Sequence, residues 1–207
     1  MGLGLKSMLI ISSFLVVLGM VWAMRILPKA FVRLCFIILT RTLYRLRIAG
    51  LSHLPKEGPL LLVANHVSIL DALFIMASAN RPVRFIMNEY YYHKWYIYPL
   101  AKLLDTIPVS STASTRTMMQ SIRKAGEALD SGDIVCIFPE GQITHTGKIL
   151  PFKRGVELIM KGRTCPIVPV HLDGVWGSIF SFKNGKFLKK WPKHFPYSLT
   201  SSFREPL

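Results

Sequence analysis

His66 and Asp71 are the pair in this chain best suited to moving a proton. They stand five residues apart in the run Asn65-His66-Val67-Ser68-Ile69-Leu70-Asp71. Histidine takes up and returns protons near neutral pH. A carboxylate on its second ring nitrogen would fix the tautomer and stabilise the imidazolium that forms. On one straight helix five residues turn through about 500°, which would point the two side chains apart. The pair can meet only if His66 lies in a turn and Asp71 in the first turn of a helix. The flanks allow this, because the apolar residues 59–64 read as a buried strand and residues 72–79 as a helix. A purely structural reading also stands. Ser68-Ile69-Leu70-Asp71 fits a capping box, with Asp71 only closing a helix N-terminus. No GxSxG or other nucleophile motif accompanies the pair, so the chemistry open to His66 is direct activation of a substrate hydroxyl.

Three further clusters fall at element boundaries. Phe138-Pro139-Glu140-Gly141 closes the apolar strand 134–138. Glu140 then emerges where ligands of open α/β sheets gather. There it could accept hydrogen bonds from substrate hydroxyls, or be a solvated acid in a turn. Pro151-Phe152-Lys153-Arg154-Gly155 places two cations before a helix start, which suits a phosphate or a basic surface turn. Ile167-Val168-Pro169-Val170 is a strand whose proline requires an edge position or a bulge.

The elements that must position these residues alternate. Strands are predicted at 60–64, 83–87, 107–109, 134–138 and 167–171, and helices at 69–79, 95–104, 115–130 and 155–161. Ser114 or Thr115 caps the third of these helices, and Gly132 follows its end. The pattern predicts an α/β fold, a mixed and largely parallel sheet flanked by helices. Residues 7–24 carry no charge between Lys6 and Arg25 and, as a helix of about 27 Å, match the hydrocarbon thickness. They read as a retained membrane anchor, the alternative being the apolar core of a signal peptide. Residues 30–46 mix apolar side chains with Arg33, Arg41 and Arg45, and Arg47 follows. They read as an interfacial helix whose arginines reach lipid phosphates, or as a surface helix packed on the domain. The expected division is a helical anchor over 1–47 and a catalytic domain over 48–207. The basic residues following the anchor put that domain on the cytoplasmic face of the inner membrane.

The chain has 207 residues, 51% hydrophobic, with 26 basic and 11 acidic side chains for a net charge of +15. Such a field favours anionic partners. No nucleic-acid-binding motif occurs, and the anchor turns the reading to a membrane surface. Basic and aromatic residues interleave between Lys183 and Phe195 (Lys186, Phe187, Lys189, Lys190, Trp191, Lys193), which suits the same interface or a solvated loop. Cys35, Cys136 and Cys165 are odd in number, widely spaced and without CxxC, which predicts neither a zinc site nor a disulfide framework.

In this order the motifs resemble the glycerophospholipid acyltransferase family, over roughly Arg41 to the C-terminus. Asn65-His66-(four residues)-Asp71 resembles its first motif, Phe138-Pro139-Glu140-Gly141 its third and Ile167-Val168-Pro169-Val170 its fourth. Within the family, Asn65–Ser68, residues 138–144 and residues 94–109 look most like the acyltransferase domain of bacterial 2-acylglycerophosphoethanolamine acyltransferase/acyl-ACP synthetase. The N-terminal anchor is closer to stand-alone 1-acylglycerol-3-phosphate acyltransferases. Two positions depart from the pattern. Ser110 stands where the second motif usually ends in an arginine that holds phosphate, and Gln142-Ile143 stands where many members carry Thr-Arg. Lys153, Arg154 or Arg116 could supply the missing cation.

The resemblance implies transfer of a fatty acyl chain from acyl-CoA or acyl carrier protein to the hydroxyl of a lysophospholipid. His66 would be the base and Asp71 its orienting acid. Asn65, Ser110, Phe138, Pro139, Glu140, Gly141, Lys153 and Arg154 would bind substrate. Neither a metal nor another cofactor is implied, and the partners are membrane phospholipids, a lysophospholipid acceptor and the thioester donor. The alternatives are a transacylase drawing on another phospholipid, a thioesterase, and a non-catalytic lipid-binding module.

Overall fold

The computed structural model describes residues 4–110, 114–185 and 196–207. The basic and aromatic residues from Lys186 to Phe195 lie outside the described residues. Seven strands, β1 (Tyr44–Ala49), β2 (Leu60–Ala64), β3 (Val83–Asn88), β4 (Ile107–Val109), β5 (Ile134–Ile137), β6 (Ile167–Asp173) and β7 (Tyr197–Phe203), form one sheet in the order β1-β7-β6-β2-β5-β3-β4. Every neighbouring pair is parallel except β6 and β7. The expected mixed, largely parallel α/β sheet is the architecture observed.

Among the described residues seven α-helices accompany it: α1 (Leu5–Ile26), α2 (Pro28–Leu43), α3 (Asp71–Ser78), α4 (Glu89–Tyr92), α5 (Tyr98–Leu103), α6 (Thr115–Asp130) and α7 (Gly155–Met160). The central strands β2 and β5 are apolar throughout, as parallel strands covered on both faces must be. Side chains alternate across the pleat. Leu60 and Leu62 therefore pack with Phe74 and Ile75 of α3, while Leu61 packs with Ala125 and Leu129 of α6 and Ile159 of α7. Ser114 caps α6, its hydroxyl accepting the Thr117 N–H at 3.3 Å, and Gly132 follows at φ 86°. The three thiols are unpaired: Cys136 is buried in β5, Cys165 half-buried and Cys35 exposed.

Two strands were not anticipated. Tyr44–Ala49, expected to continue a helix to residue 46, pairs instead with β7, so the domain division expected after residue 47 falls inside β1. The physical reason is the period: Tyr44, Leu46 and Ile48 alternate with Arg45 and Arg47, a strand pattern overlaid on arginines at helical spacing. Pro169 lies inside the sheet rather than at an edge. Its carbonyl accepts the Arg204 N–H at 2.9 Å and it has no N–H to return. Ile167 then exchanges both backbone bonds with Leu207, so residues 167–169 face the four residues 204–207, an irregularity of the bulge kind.

α1 is long and apolar enough to cross a membrane, and the window Leu5–Trp22 has no residue buried against the rest of the protein. α2 packs on α3 through one side and leaves Leu34, Ile38 and Leu39 exposed on another. Arg33 does not reach outward as expected. Its guanidinium donates to the Met76 and Ala79 carbonyls, at the end of α3 where backbone acceptors lack helical partners. Lys29 pairs with Asp105, in the turn after α5.

Candidate active site

β2, β5 and β6 run side by side in parallel, so their C-terminal ends share one edge of the sheet. The motif residues leave the sheet there. His66 sits in the turn after β2, and Asp71 is the first residue of α3, the arrangement the five-residue spacing requires. His66 Nδ1 lies 2.8 Å from Asp71 Oδ2. That oxygen also accepts the Val67 N–H at 2.7 Å and the Ser68 N–H at 2.8 Å. Asp71 therefore closes the turn and orients the ring with the same oxygen, so the capping and orienting readings hold together. Three donors on Oδ2 favour the carboxylate, which makes Nδ1 the protonated nitrogen and leaves the lone pair on Nε2. No described residue bonds Nε2, and the His66 side chain is 20% exposed. Asp71 itself is fully buried. Burial pushes its carboxyl upward, against the hydrogen bonds and charge of His66 and the two backbone donors.

The rest of the turn is held from the neighbouring strands. The His66 N–H donates to Glu140 Oε1 at 2.8 Å, and its carbonyl accepts the Thr144 N–H at 2.9 Å. The Phe138 ring stacks on the imidazole at 4.1 Å between centroids and 18° between planes. Glu140 Oε2 accepts the Leu150 N–H at 2.8 Å, and the residue is 2% exposed. Its carboxylate, expected on substrate hydroxyls, is thus turned to the chain's own backbone. Asn65 is similarly employed, its amide giving to the Leu172 carbonyl at 3.0 Å and taking the Leu172 N–H at 2.7 Å. It clamps the end of β6 to the end of β2. Thr144 escaped the sequence reading, although it stands inside the run 138–144; its hydroxyl accepts the Thr146 and Gly147 N–H groups and fixes the turn that holds His66.

The two cations separate. The Lys153 N–H donates to the Pro139 carbonyl at 2.8 Å. The Lys153 side chain lies across Gly141, where a Cβ would stand 2.7 Å from Nζ. Arg154 pairs with Glu157 at 3.1 Å on the surface. Ser110 follows β4, separated from β2 by β5 and β3, which is about 14 Å of sheet. A groove with about 100 Å³ of free volume opens beside the turn, lined in part by Asn65, Glu140, Lys148, His171 and Trp176. Among the described residues no cluster of three or more His, Cys, Asp or Glu side chains could hold a metal ion.

Comparison with known proteins agrees with this geometry. The family described as "Acyltransferase" matches residues 45–173, more than half of the chain. The "Probable 1-acyl-sn-glycerol-3-phosphate acyltransferase" of Mycoplasma pneumoniae is 28% identical over 141 residues, covering 66% of this chain and 52% of its own. The "1-acyl-sn-glycerol-3-phosphate acyltransferase alpha" of Homo sapiens is 30% identical over 128 residues, 61% of this chain and 44% of its own. This chain thus spans about half the length, or less, of the curated relatives it matches. The crystal structure of the 1-acyl-sn-glycerophosphate (LPA) acyltransferase PlsC from Thermotoga maritima superposes with a TM-score of 0.65 at 21% identity, over 86% of this chain and 70% of that one, a likeness of fold. With the motifs assembled at one sheet edge and the family match running through all of them, the chain belongs to the Acyltransferase family.

Proposed function

We propose that the chain transfers a fatty acyl group from acyl-CoA or acyl carrier protein to the free hydroxyl of a lysophospholipid, 1-acylglycerol-3-phosphate before lysophosphatidylethanolamine. The observation that carries this is the 2.8 Å contact between His66 Nδ1 and buried Asp71 Oδ2, on a ring that stays 20% exposed and whose Nε2 no described residue bonds. Nε2 takes the acceptor's hydroxyl proton as that oxygen attacks the thioester carbonyl. The C–O bond forms, the C–S bond breaks, and the proton passes from His66 to the departing thiolate. Asp71 stabilises the imidazolium between the two transfers. Glu140 and Thr144 hold the His66 backbone, so they act on the rate through position.

Lys153, lying over Gly141 in the third motif, is our candidate for the cation that holds the acceptor's phosphate in a chain that lacks the arginines expected at 110 and 143. The preference for a phosphate acceptor is supported by the names of the relatives. The resemblance of residues 138–144 to the ethanolamine-type domain keeps the second acceptor in the test. α1 would hold the domain at the bilayer where acceptor and product reside, with the basic residues after it favouring the cytoplasmic face.

The test is a matrix of donors and acceptors on the reconstituted full chain, run beside His66→Ala. Transfer to 1-acylglycerol-3-phosphate that disappears in His66→Ala is the expected result. Free fatty acid released without acceptor would make it a thioesterase. Transfer from a phospholipid as the sole donor would make it a transacylase. Function unchanged in His66→Ala would leave a lipid-binding module.

A further inference from the structure

The segment joining β3 to β4 turns aromatic side chains outward at an unusual density. Tyr90 is 65% exposed, Tyr91 54%, Trp95 84% and Tyr96 59%, all within residues 90–96. Single exposed rings are ordinary, but four in one short stretch present apolar surface that water solvates poorly. The rings pack on one another rather than inward. Tyr90 meets Tyr91 edge-on at 5.2 Å, and Trp95 meets Tyr96 at 5.6 Å. Lys94 Nζ stands 4.0 Å above the Tyr90 ring.

Rings with a polar handle set beside an ammonium group have the composition of protein surfaces at lipid headgroups, where one end of each side chain is wet and the other apolar. The chain's net charge of +15, with Lys94 in this stretch, favours anionic lipid. The place in the fold agrees. α4 begins directly after β3, which runs parallel to β5 and through it to β2, so the patch lies on the sheet edge that carries His66. At its other end α5, six residues and about 9 Å long, leads to Asp105. Asp105 holds Lys29 at the start of α2, three residues beyond the end of α1. The patch and the exit of the apolar helix therefore lie close together.

We propose that residues 90–96 form a second membrane contact, seated in the headgroup layer of an anionic phospholipid bilayer beside α1. This rests on reading α1 as a membrane helix. One helix alone leaves a domain free to swivel about its tether. A second point of contact on the sheet edge of His66 fixes the domain's tilt and turns that edge toward the leaflet supplying the acceptor.

The test uses the full chain in nanodiscs of phosphatidylcholine and phosphatidylglycerol, with and without brominated acyl chains, which quench tryptophan on contact. The parent protein is compared with Trp95→Phe and with Trp22→Phe. Both sites are exposed, so neither change disturbs the core. The expected result is a loss of the quenchable emission in each variant, with the Trp95 component quenched more by bromines near the headgroup than by bromines near the chain end. Quenchable emission unchanged in Trp95→Phe but reduced in Trp22→Phe would overturn the second contact and leave the anchor standing. Emission unchanged in both would overturn the anchor as well. A Trp95→Ser change that raised KM for acyl carrier protein, with Trp95 unquenched in the parent, would make the patch a protein-docking surface and overturn the proposal.

Discussion

Glu140 Oε1 accepts the backbone N–H of His66 at 2.8 Å, while Oε2 of the same carboxylate accepts the Leu150 N–H at 2.8 Å. A carboxylate at 2% exposure keeps its place only because backbone donors replace water. Glu140→Gln retains one acceptor and turns an amide NH2 toward the other donor. The expected loss is about 1–3 kcal/mol of stability, the cost of a buried unpaired donor. kcat falls more than KM rises, because the residue displaced is His66 rather than a substrate contact. Chemical unfolding and steady-state kinetics in the same detergent check this, and a Gln variant with parental stability and kcat refutes it.

Asp71→Asn separates charge from shape. The asparagine oxygen can still accept the Val67 and Ser68 N–H groups and the imidazole N–H, so the turn persists. What disappears is the negative charge that, in the proposed mechanism, stabilises the imidazolium. The expected outcome is a fall of about 10²–10⁴ in kcat with the fold retained, on the scale of removing a positioned proton carrier's support. Single-turnover transfer, with circular dichroism for the fold, measures it. A parental rate would reduce Asp71 to a cap.

The pH dependence of stability follows from the buried carboxyl. Burial raises the Asp71 pKa in the folded protein, so the folded state binds the proton more tightly than the unfolded chain. Stability contributed by protonated Asp71 is therefore lost as pH rises from the ordinary aspartate value near 3.9 through the raised one. In a His66→Ala background the two lowering effects of His66 are gone and the raising cause remains. The stability of His66→Ala minus that of His66→Ala/Asp71→Asn should fall with rising pH across this window and then level off. Unfolding curves at a series of pH values test the sign; a difference that grows with pH is the contrary result.

Much of the fold is legible in the sequence, and each departure from it has an identifiable cause. The central strands could be read because parallel strands buried on both faces are apolar without interruption, as in Leu60–Ala64 and Ile134–Ile137. The dyad could be read because its spacing lets the two side chains meet in only one local geometry and the order of motifs resembles a known family. β7 was missed because its inward positions are Leu199, Ser201 and Phe203, and the buried serine breaks the apolar alternation. For Glu140 the sequence leaves a substrate contact and a solvated turn both open, because an acid after a strand carries the same signal whether it faces solvent or two backbone donors. Only the three-dimensional return of residues 144 and 150 to the His66 turn distinguishes the two. Between lipid and a helix packed on the domain, the sequence leaves Arg33 open, because it does not show the carbonyls at the end of α3 that face Arg33 across the helix pair.

Gly141 links the motif to the proposed phosphate cation. Its φ of +68° is a left-handed conformation, which an L side chain adopts at a cost of about 1 kcal/mol. A Cβ there would also stand 2.7 Å from Lys153 Nζ and 3.0 Å from Cδ and Cε. These atoms are the flexible end of a lysine, so they move aside and the core is spared. Gly141→Ala should therefore lose about 1 kcal/mol of stability and raise KM for the phosphate-bearing acceptor, with kcat little changed. Lys153→Ala should raise the same KM without the backbone cost. If the alanine acts on binding by displacing the ammonium, the two changes share one effect. The double variant's KM should then match that of the worse single variant instead of multiplying the two increases, since residues in contact do not behave independently. Acceptor titrations on the four proteins of the cycle decide it. Increases that multiply would mean that Gly141 shapes the acceptor site by a route other than Lys153.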